Sequence, residues 1–468
     1  MRYLSTRGEA AQLGFDDVLL AGLAVDGGLY TPLAYPHIAP GDIVGLAGVP
    51  YAEAAARVIA PFLSGAIATD LLRAQTEAAS ASFRHRAIAP VSQIADNLFV
   101  LELFHGPTLA FKDLAMQLLG RMMNDVLERR NLRATIVGAT SGDTGAAAIE
   151  AFRGLERVDV FILYPKGRVS DVQRRQMTTV ANDNIHVIAL EGSFDDAQNI
   201  LKRLFRNAPF RESVGLAGVN SINWARIVAQ TVYYFTSAVV LGAPHRHVSY
   251  AVPTGNFGDV LAGYVAKRMG LPIDRLIVAT NANDILALAL ETSRYEPRGV
   301  TPTQSPSMDI QVSSNFERLL FDVMGREPAA IRALFASLEQ SGGFDIPAAS
   351  LATIRKEFDA QSVNEAATTD EIARTFRDAD YVLDPHTATG VRAARARLAV
   401  DPATPVVALA TAHPAKFPDA IERAIGARPR LPGEIAARLE GPERFTVLEN
   451  DAARVAAFIS DRARAVQV

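Results

Sequence analysis

The chain has 468 residues, with 47 basic and 51 acidic side chains for a formal net charge of −4, and no cysteine. That length exceeds what one hydrophobic core fills, so two or three domains are expected. The basic residues Arg129, Arg130, Arg174 and Arg175 fall in short pairs beside acidic neighbours, which argues against nucleic acid as a partner; the lack of cysteine removes disulfides, thiolate metal sites and thiol nucleophiles together and suits a reducing compartment.

Residues 1–9 hold no apolar core of the signal-peptide kind, and no later run approaches the ~20 apolar residues of a membrane span. The expectation is a cytoplasmic protein with no membrane contact. Residues 1–95 are alanine-rich and mainly helical in pattern, as over 51–62, with a Gly/Pro turn at Asp26-Gly27-Gly28-Leu29-Tyr30-Thr31-Pro32.

The most informative stretch is Phe104-His105-Gly106-Pro107-Thr108-Leu109-Ala110-Phe111-Lys112-Asp113. After it, Leu114, Leu118, Leu119, Met122, Met123, Val126 and Leu127 recur at helical spacing, closed by Arg129 and Arg130. Lys112 therefore sits near the positive end of a helix dipole beside Phe111, where the ammonium form is disfavoured and the amine is freer to attack a carbonyl. Asp113 is the expected dipole partner. The segment alone leaves an ordinary surface lysine equally open.

Further along, short β-branched runs end in small polar residues and enter helices, the mark of a parallel sheet with crossover helices. Four such units are expected: residues 135–138 into Ala139-Thr140-Ser141-Gly142-Asp143-Thr144-Gly145, 248–252 into Pro253-Thr254-Gly255-Asn256-Phe257-Gly258-Asp259, 381–383 into Asp384-Pro385-His386-Thr387-Ala388-Thr389-Gly390, and 406–410 into Thr411-Ala412-His413-Pro414. Other strands are expected at 158–163, 185–190 and 275–279, whereas 320–375 reads as helical and without a chemical motif. The loops after the carboxyl ends of such strands form the ligand crevice.

Ser141, Gly142 and Thr144, and likewise Gly255, Asn256, Phe257, Gly258 and Asp259, put glycines and small polar residues at helix starts, where free N–H groups bind anions. Each loop taken singly reads as well as a tight turn with a satisfied cap. Neither matches the P-loop, which disfavours a nucleotide triphosphatase. Thr411 either meets a ligand or caps its turn. The 8 histidines show no metal-ligand spacing, so no metal is expected; His105, His386 and His413, inside the polar loops, are the ones to test as acids or substrate contacts. Asn220, Ser221, Asn223 and Arg226 surround the single Trp224 and read either as a phosphate clamp or as a helix start with a packed Trp224 and a solvated Arg226.

In order, Met1-Arg2-Tyr3, residues 26–32, 105–113, 141–145, 220–226, 255–259, 384–390 and Thr411-Ala412-His413-Pro414-Ala415-Lys416-Phe417 resemble the threonine synthase family, pyridoxal-phosphate enzymes of the tryptophan-synthase-β-like fold. The resemblance implies an α/β fold of two open, mostly parallel sheets with crossover helices (PLP fold type II) after a mainly helical N-terminal segment. It suggests a segment 1–95, a smaller domain 96–220 with Lys112 and the 141–145 loop, a larger domain 221–425 with the 255–259 loop and Thr411, and a helical extension 426–468.

It further implies pyridoxal 5'-phosphate as cofactor, Lys112 as its Schiff-base lysine, residues 255–259 as the cradle of its phosphate and Thr411 as partner of its pyridine nitrogen. The 141–145 loop would hold the substrate carboxylate against the ring; many relatives have asparagine where this chain has Asp143. The implied reaction turns O-phospho-L-homoserine and water into L-threonine and phosphate, with Asn220, Ser221, Asn223 and Arg226, then Lys166 and Arg168, as candidates for the substrate phosphate. The protein is expected to work as a monomer or homodimer. A serine/threonine dehydratase of the same fold needs no second phosphate site; a non-catalytic relative needs neither Lys112 nor both glycine-rich loops.

Overall fold

Continuous apolar runs such as Val406–Ala410 become strands buried along their whole length, as a parallel sheet covered by helices on both faces requires. The protein is described here by a computed structural model covering residues 1–140 and 142–467. These strands assemble into two principal sheets. The larger has six strands in the order Phe358–Ser362, Ile273–Thr280, Val248–Pro253, Val406–Ala410, Leu98–Glu102, Val91–Ala95, parallel throughout except for the last pair. The smaller has five parallel strands in the order Thr446–Glu449, Ile185–Glu191, Val158–Pro165, Ala134–Ala139, Leu216–Ala217.

The α/β class with two mostly parallel sheets is as the resemblance implied, but sheet membership cuts across the expected divisions. Val91–Ala95 and Leu98–Glu102, assigned to the N-terminal segment and the smaller domain, pair with each other at the edge of the larger sheet. The C-terminal extension is not purely helical: Thr446–Glu449 adds an edge strand to the smaller sheet, and the helix Ala452–Ser460 packs behind it. Residues 320–375 contain the strand Phe358–Ser362 among their helices. Residues 381–383 form no strand. The helix Glu365–Ala379 ends at Asp380 in a left-handed turn, and Asp384 then caps Pro385–Val400 through the amides of His386 and Thr387, so the extended link between them has no ladder to join.

Parallel neighbours deliver loops to one edge. Val406–Ala410 pairs residue for residue with Leu98–Glu102, so the chain leaving one strand toward Lys112 and the chain leaving the other at Thr411 emerge together. Beyond the sheet they stay joined: Leu103 N–H donates to the Ala410 carbonyl, Phe111 N–H to that of Thr411 at 2.9 Å, and His413 N–H to that of Leu109. The N-terminal helices Tyr51–Leu63 and Thr69–Ser80 pack against Trp224–Val240 and Lys112–Arg129 respectively. Trp224 is fully buried among Tyr3, Tyr35 and Phe62, which is its packed-core reading.

The helices Lys112–Arg129 and Asp143–Phe152 cross at Gly120, where a Cβ would lie 2.4 Å from the Ala151 carbonyl oxygen. Replacement by alanine must push two helices apart. Gly120→Ala is expected to cost about 1–3 kcal/mol, read as a lower urea midpoint; an unchanged midpoint would mean that this crossing is loose.

Candidate active site

Lys112 is delivered by a tight approach. Leu109 adopts φ 61, a left-handed conformation rare for a branched side chain, and Asp113 accepts from the Thr108 N–H and hydroxyl, each at 2.8 Å. Gly106 is required here, because a Cβ would lie 2.5 Å from the Asp113 side chain. Asp113 thus staples the loop as well as occupying the helix's first turn, and burial pushes its carboxyl up to about 7. Lys112 itself is buried. Burial lowers its amine below the ordinary lysine range; Asp143 pulls the other way, and Lys416 and Arg226 add to the lowering.

The lysine opens on a cavity of about 320 Å³ between the loops of both sheets. The smaller sheet contributes Asp143, whose Oδ2 lies 3.5 Å from Lys112 Nζ and accepts from the Ser307 hydroxyl at 3.0 Å. Its Oδ1 is 2.6 Å from Lys416 Nζ and accepts from the Gln173 amide at 3.0 Å. Burial alone would raise this carboxyl, but Lys416 and Lys112 hold it well below the usual carboxylate range. An ionised Asp143 only accepts hydrogen bonds.

The larger sheet contributes residues 255–259, all lining the cavity. Phe257, at φ 62, turns the chain into the helix Gly258–Arg268, which has no side-chain cap. The backbone N–H groups of residues 255–259 find no acceptor among the described residues. A Cβ on Gly255 would lie 2.9 Å from the Ser307 carbonyl oxygen, so the close wall needs glycine. Uncapped amides at a helix start fit a phosphate. Asp259 is drawn inward instead: Tyr233 and Tyr234 donate to it, and burial pushes its carboxyl up to about 7.

Thr411 also lines the cavity, and its hydroxyl has no partner among the described residues. Arg226, Asn220 and Ser221 line it too. Arg226 is buried rather than solvated; burial lowers its guanidinium to about 10, one nitrogen bonds the Val219 carbonyl, and Nε is unsatisfied. A buried guanidinium that lines the cavity is suited to receive an anion.

Several expected residues do not reach the cavity. Asn223 is a structural cap: it accepts from Ala225 N–H and donates to the Leu19 and Gly218 carbonyls. Gly142 and Gly145 spend their amides on the Thr140 hydroxyl, the satisfied-cap reading of that loop, although Asp143 and Thr144 line the cavity. Ser141 lies outside the described residues. Lys166 pairs with Glu191 at the surface, and Arg168 is not among the lining residues. Of the three histidines only His386 lines the cavity; its Nε2 accepts from Ser307 N–H and its Nδ1 faces Asp384 at 2.8 Å, which fixes a neutral tautomer with the proton on Nδ1. Lys416, Ser307 and Gln173 were missed, their only signal for Lys416 being its place in the 411–417 motif.

The family models match in three blocks: threonine synthase N terminus over residues 2–80, pyridoxal-phosphate dependent enzyme over 85–334, and threonine synthase C-terminal over 387–459. A threonine synthase from Pseudomonas aeruginosa is 53% identical over 98% of this chain and 98% of its own. The chain belongs to the threonine synthase family. A PLP-bound threonine synthase from Brucella melitensis superposes with a TM-score of 0.97 at 55% identity, covering 99% of this chain and 100% of the other; the yeast threonine synthase does so at 0.93 and 36% identity over 98% of each. As a threonine synthase family member the chain is a pyridoxal-phosphate-dependent enzyme of PLP fold type II. No described helix is long and apolar enough to cross a membrane.

Near the site, His413 accepts the Ala415 N–H at 3.1 Å through Nδ1. Burial, with Arg84 and His105 nearby and against Asp384 and Glu102, lowers it to about 4. The unfolded chain takes that proton near 6.5, so this contribution to stability is complete above about 6.5 and is lost as pH falls toward 4. His413→Asn, able to accept the same N–H, should flatten the loss of urea stability across that window; an unchanged slope would place the titration elsewhere.

Proposed function

We propose that the chain converts O-phospho-L-homoserine and water into L-threonine and inorganic phosphate, with Lys112 as the reacting amine. The observation that carries this reading is one cavity holding a buried lysine together with two separate anion receptors, the amides of residues 255–259 and the Arg226 guanidinium. One phosphate belongs to a cofactor and the other to a substrate. A plain amino acid would leave Arg226 unpaired.

The amides of residues 255–259 would hold the cofactor's phosphate, and the Thr411 hydroxyl would serve its ring nitrogen. When bound, pyridoxal phosphate supplies a conjugated sink for negative charge developed at the substrate's Cα and Cβ. Asn220, Ser221 and Arg226 hold the substrate phosphate, and Thr144 lies where the 141–145 loop meets the substrate carboxylate. Lys112, as a neutral amine, takes the proton from Cα and moves protons at Cα and Cβ. The Cγ–O bond breaks with departure of phosphate, Cγ gains a proton in its place, Cβ gives up a proton and takes the hydroxyl of water, and Cα is reprotonated. Asp143, ionised and acceptor-only, suits a hydroxyl donor on the ring. His386, with a neutral ring bonded on both nitrogens, holds the Ser307 wall and exchanges no proton.

Reconstituted with pyridoxal phosphate, the protein should release phosphate from O-phosphohomoserine and form threonine, and borohydride should trap the cofactor on Lys112. Lys112→Ala should abolish both. Arg226→Gln should lower kcat/KM roughly 10- to 100-fold while the cofactor is retained. Ammonia release from threonine without phosphate release from O-phosphohomoserine would overturn the reading.

A further inference from the structure

Lys416 is a second buried lysine at this seam. It ends the short turn Pro414–Lys416, is fully buried, and does not line the cavity. Its Nζ donates to the Thr108 carbonyl at 2.8 Å and stands 2.6 Å from Asp143 Oδ1, while Lys112 Nζ is 3.5 Å from Oδ2. One carboxylate thus serves two lysines, and it holds the non-reacting one closer.

Among the described residues only Asp143 is ion-paired with Lys112; the other carboxylates of the cavity are engaged elsewhere, Asp259 accepting from Tyr233 and Tyr234 and Asp309 from Asn281 and Thr303. Besides Asp143, the charged groups acting on it are Lys416 and Arg226, both cationic, and the His386 ring lining the same cavity is neutral by its hydrogen bonds. Asp113, on the same helix as Lys112, is committed to Thr108, and Glu150 beyond it to Arg438 and Arg153. With both lysines protonated, the cluster of Lys112, Asp143 and Lys416 buries a net positive charge next to Arg226, which is costly in a low-dielectric setting. Releasing a proton from the more loosely held amine removes that charge, and that amine faces the cavity.

We propose that Lys416 is a positioning residue: by occupying the Asp143 carboxylate it denies Lys112 a full counter-charge and keeps the Lys112 amine neutral and nucleophilic. The inference rests on Lys112 being the reacting amine. The directions acting on Lys112 agree with it, since burial, Lys416 and Arg226 all favour the neutral form and Asp143 alone opposes them. Without Lys416, Asp143 would belong to Lys112 alone and hold it as an ammonium.

The test reads the cofactor-free protein. Trace acetylation with acetic anhydride across pH, quantified at Lys112 by peptide mass spectrometry, gives the titration midpoint of the amine in wild type, Lys416→Gln, Lys416→Met and Lys416→Arg. The glutamine amide retains a donor for the Thr108 carbonyl, and methionine fills similar space. The expected result is a midpoint raised by about one pH unit in the Gln and Met variants, about tenfold less free amine at neutral pH, with Arg restoring the wild-type value and the acid limb of kcat moving by the same amount. A midpoint unchanged or lowered in a folded uncharged variant overturns the proposal, as does failure of both uncharged variants to fold, which would make Lys416 a support of the fold. Borohydride trapping in the same variants separates the two readings. An adduct at Lys112 with an unmoved midpoint removes only this inference; an adduct at another lysine removes the assignment of Lys112 beneath it.

Discussion

A buried amine beside a single buried carboxylate is the constraint on which the site depends. Neither Lys112 nor Asp143 is stable as an isolated charge in the interior, and a pair held at 3.5 Å rather than in tight contact is stable only because Lys416, Ser307 and Gln173 share the carboxylate. The fold exists at this point to hold those groups in register. Lys112 comes from the loop after the larger sheet's Leu98–Glu102, Asp143 from the loop after a strand of the smaller one, and Lys416 from the chain after the larger sheet's Val406–Ala410.

That convergence follows from parallel strands. Leu98–Glu102, Val406–Ala410 and Val248–Pro253 run in one direction side by side, so the Lys112 approach, Thr411 and the residue 255–259 amides open at one edge. Backbone bonds from Phe111 to Thr411 and from His413 to Leu109 then carry the pairing past the sheet itself. The Asp113 staple and the required glycine at position 106 leave the lysine little freedom beyond its own side chain.

The parts legible in the sequence are those written in local chemistry. Lys112 stood out by its apolar, Gly/Pro-bent approach, residues 255–259 by glycines at a helix start, and the parallel sheets by β-branched runs ending in polar loops. What escaped was pairing at long range. Ser307 meets Asp143 across 164 positions, with no periodicity to announce it, and Lys416 looks like any lysine after a proline until its burial is seen. Asn223 failed in the opposite sense: its pattern fits a phosphate ligand and a helix cap equally, and tertiary contacts with Leu19 and Gly218 decide for the cap. The edge strand Thr446–Glu449 is largely exposed and so lacks the apolar alternation that marks a strand.

On the proposed reading, backbone amides and a buried guanidinium in one cavity divide the work: the first suits a group that stays, the second a group that leaves with the product. The most direct measurement of the central claim is a crystal structure of the protein reconstituted with pyridoxal phosphate. The account predicts continuous density from Lys112 Nζ to the cofactor, its phosphate against the amides of residues 255–259 and its ring nitrogen at the Thr411 hydroxyl. Attachment to another lysine, or a cofactor phosphate seated on Arg226, would contradict it.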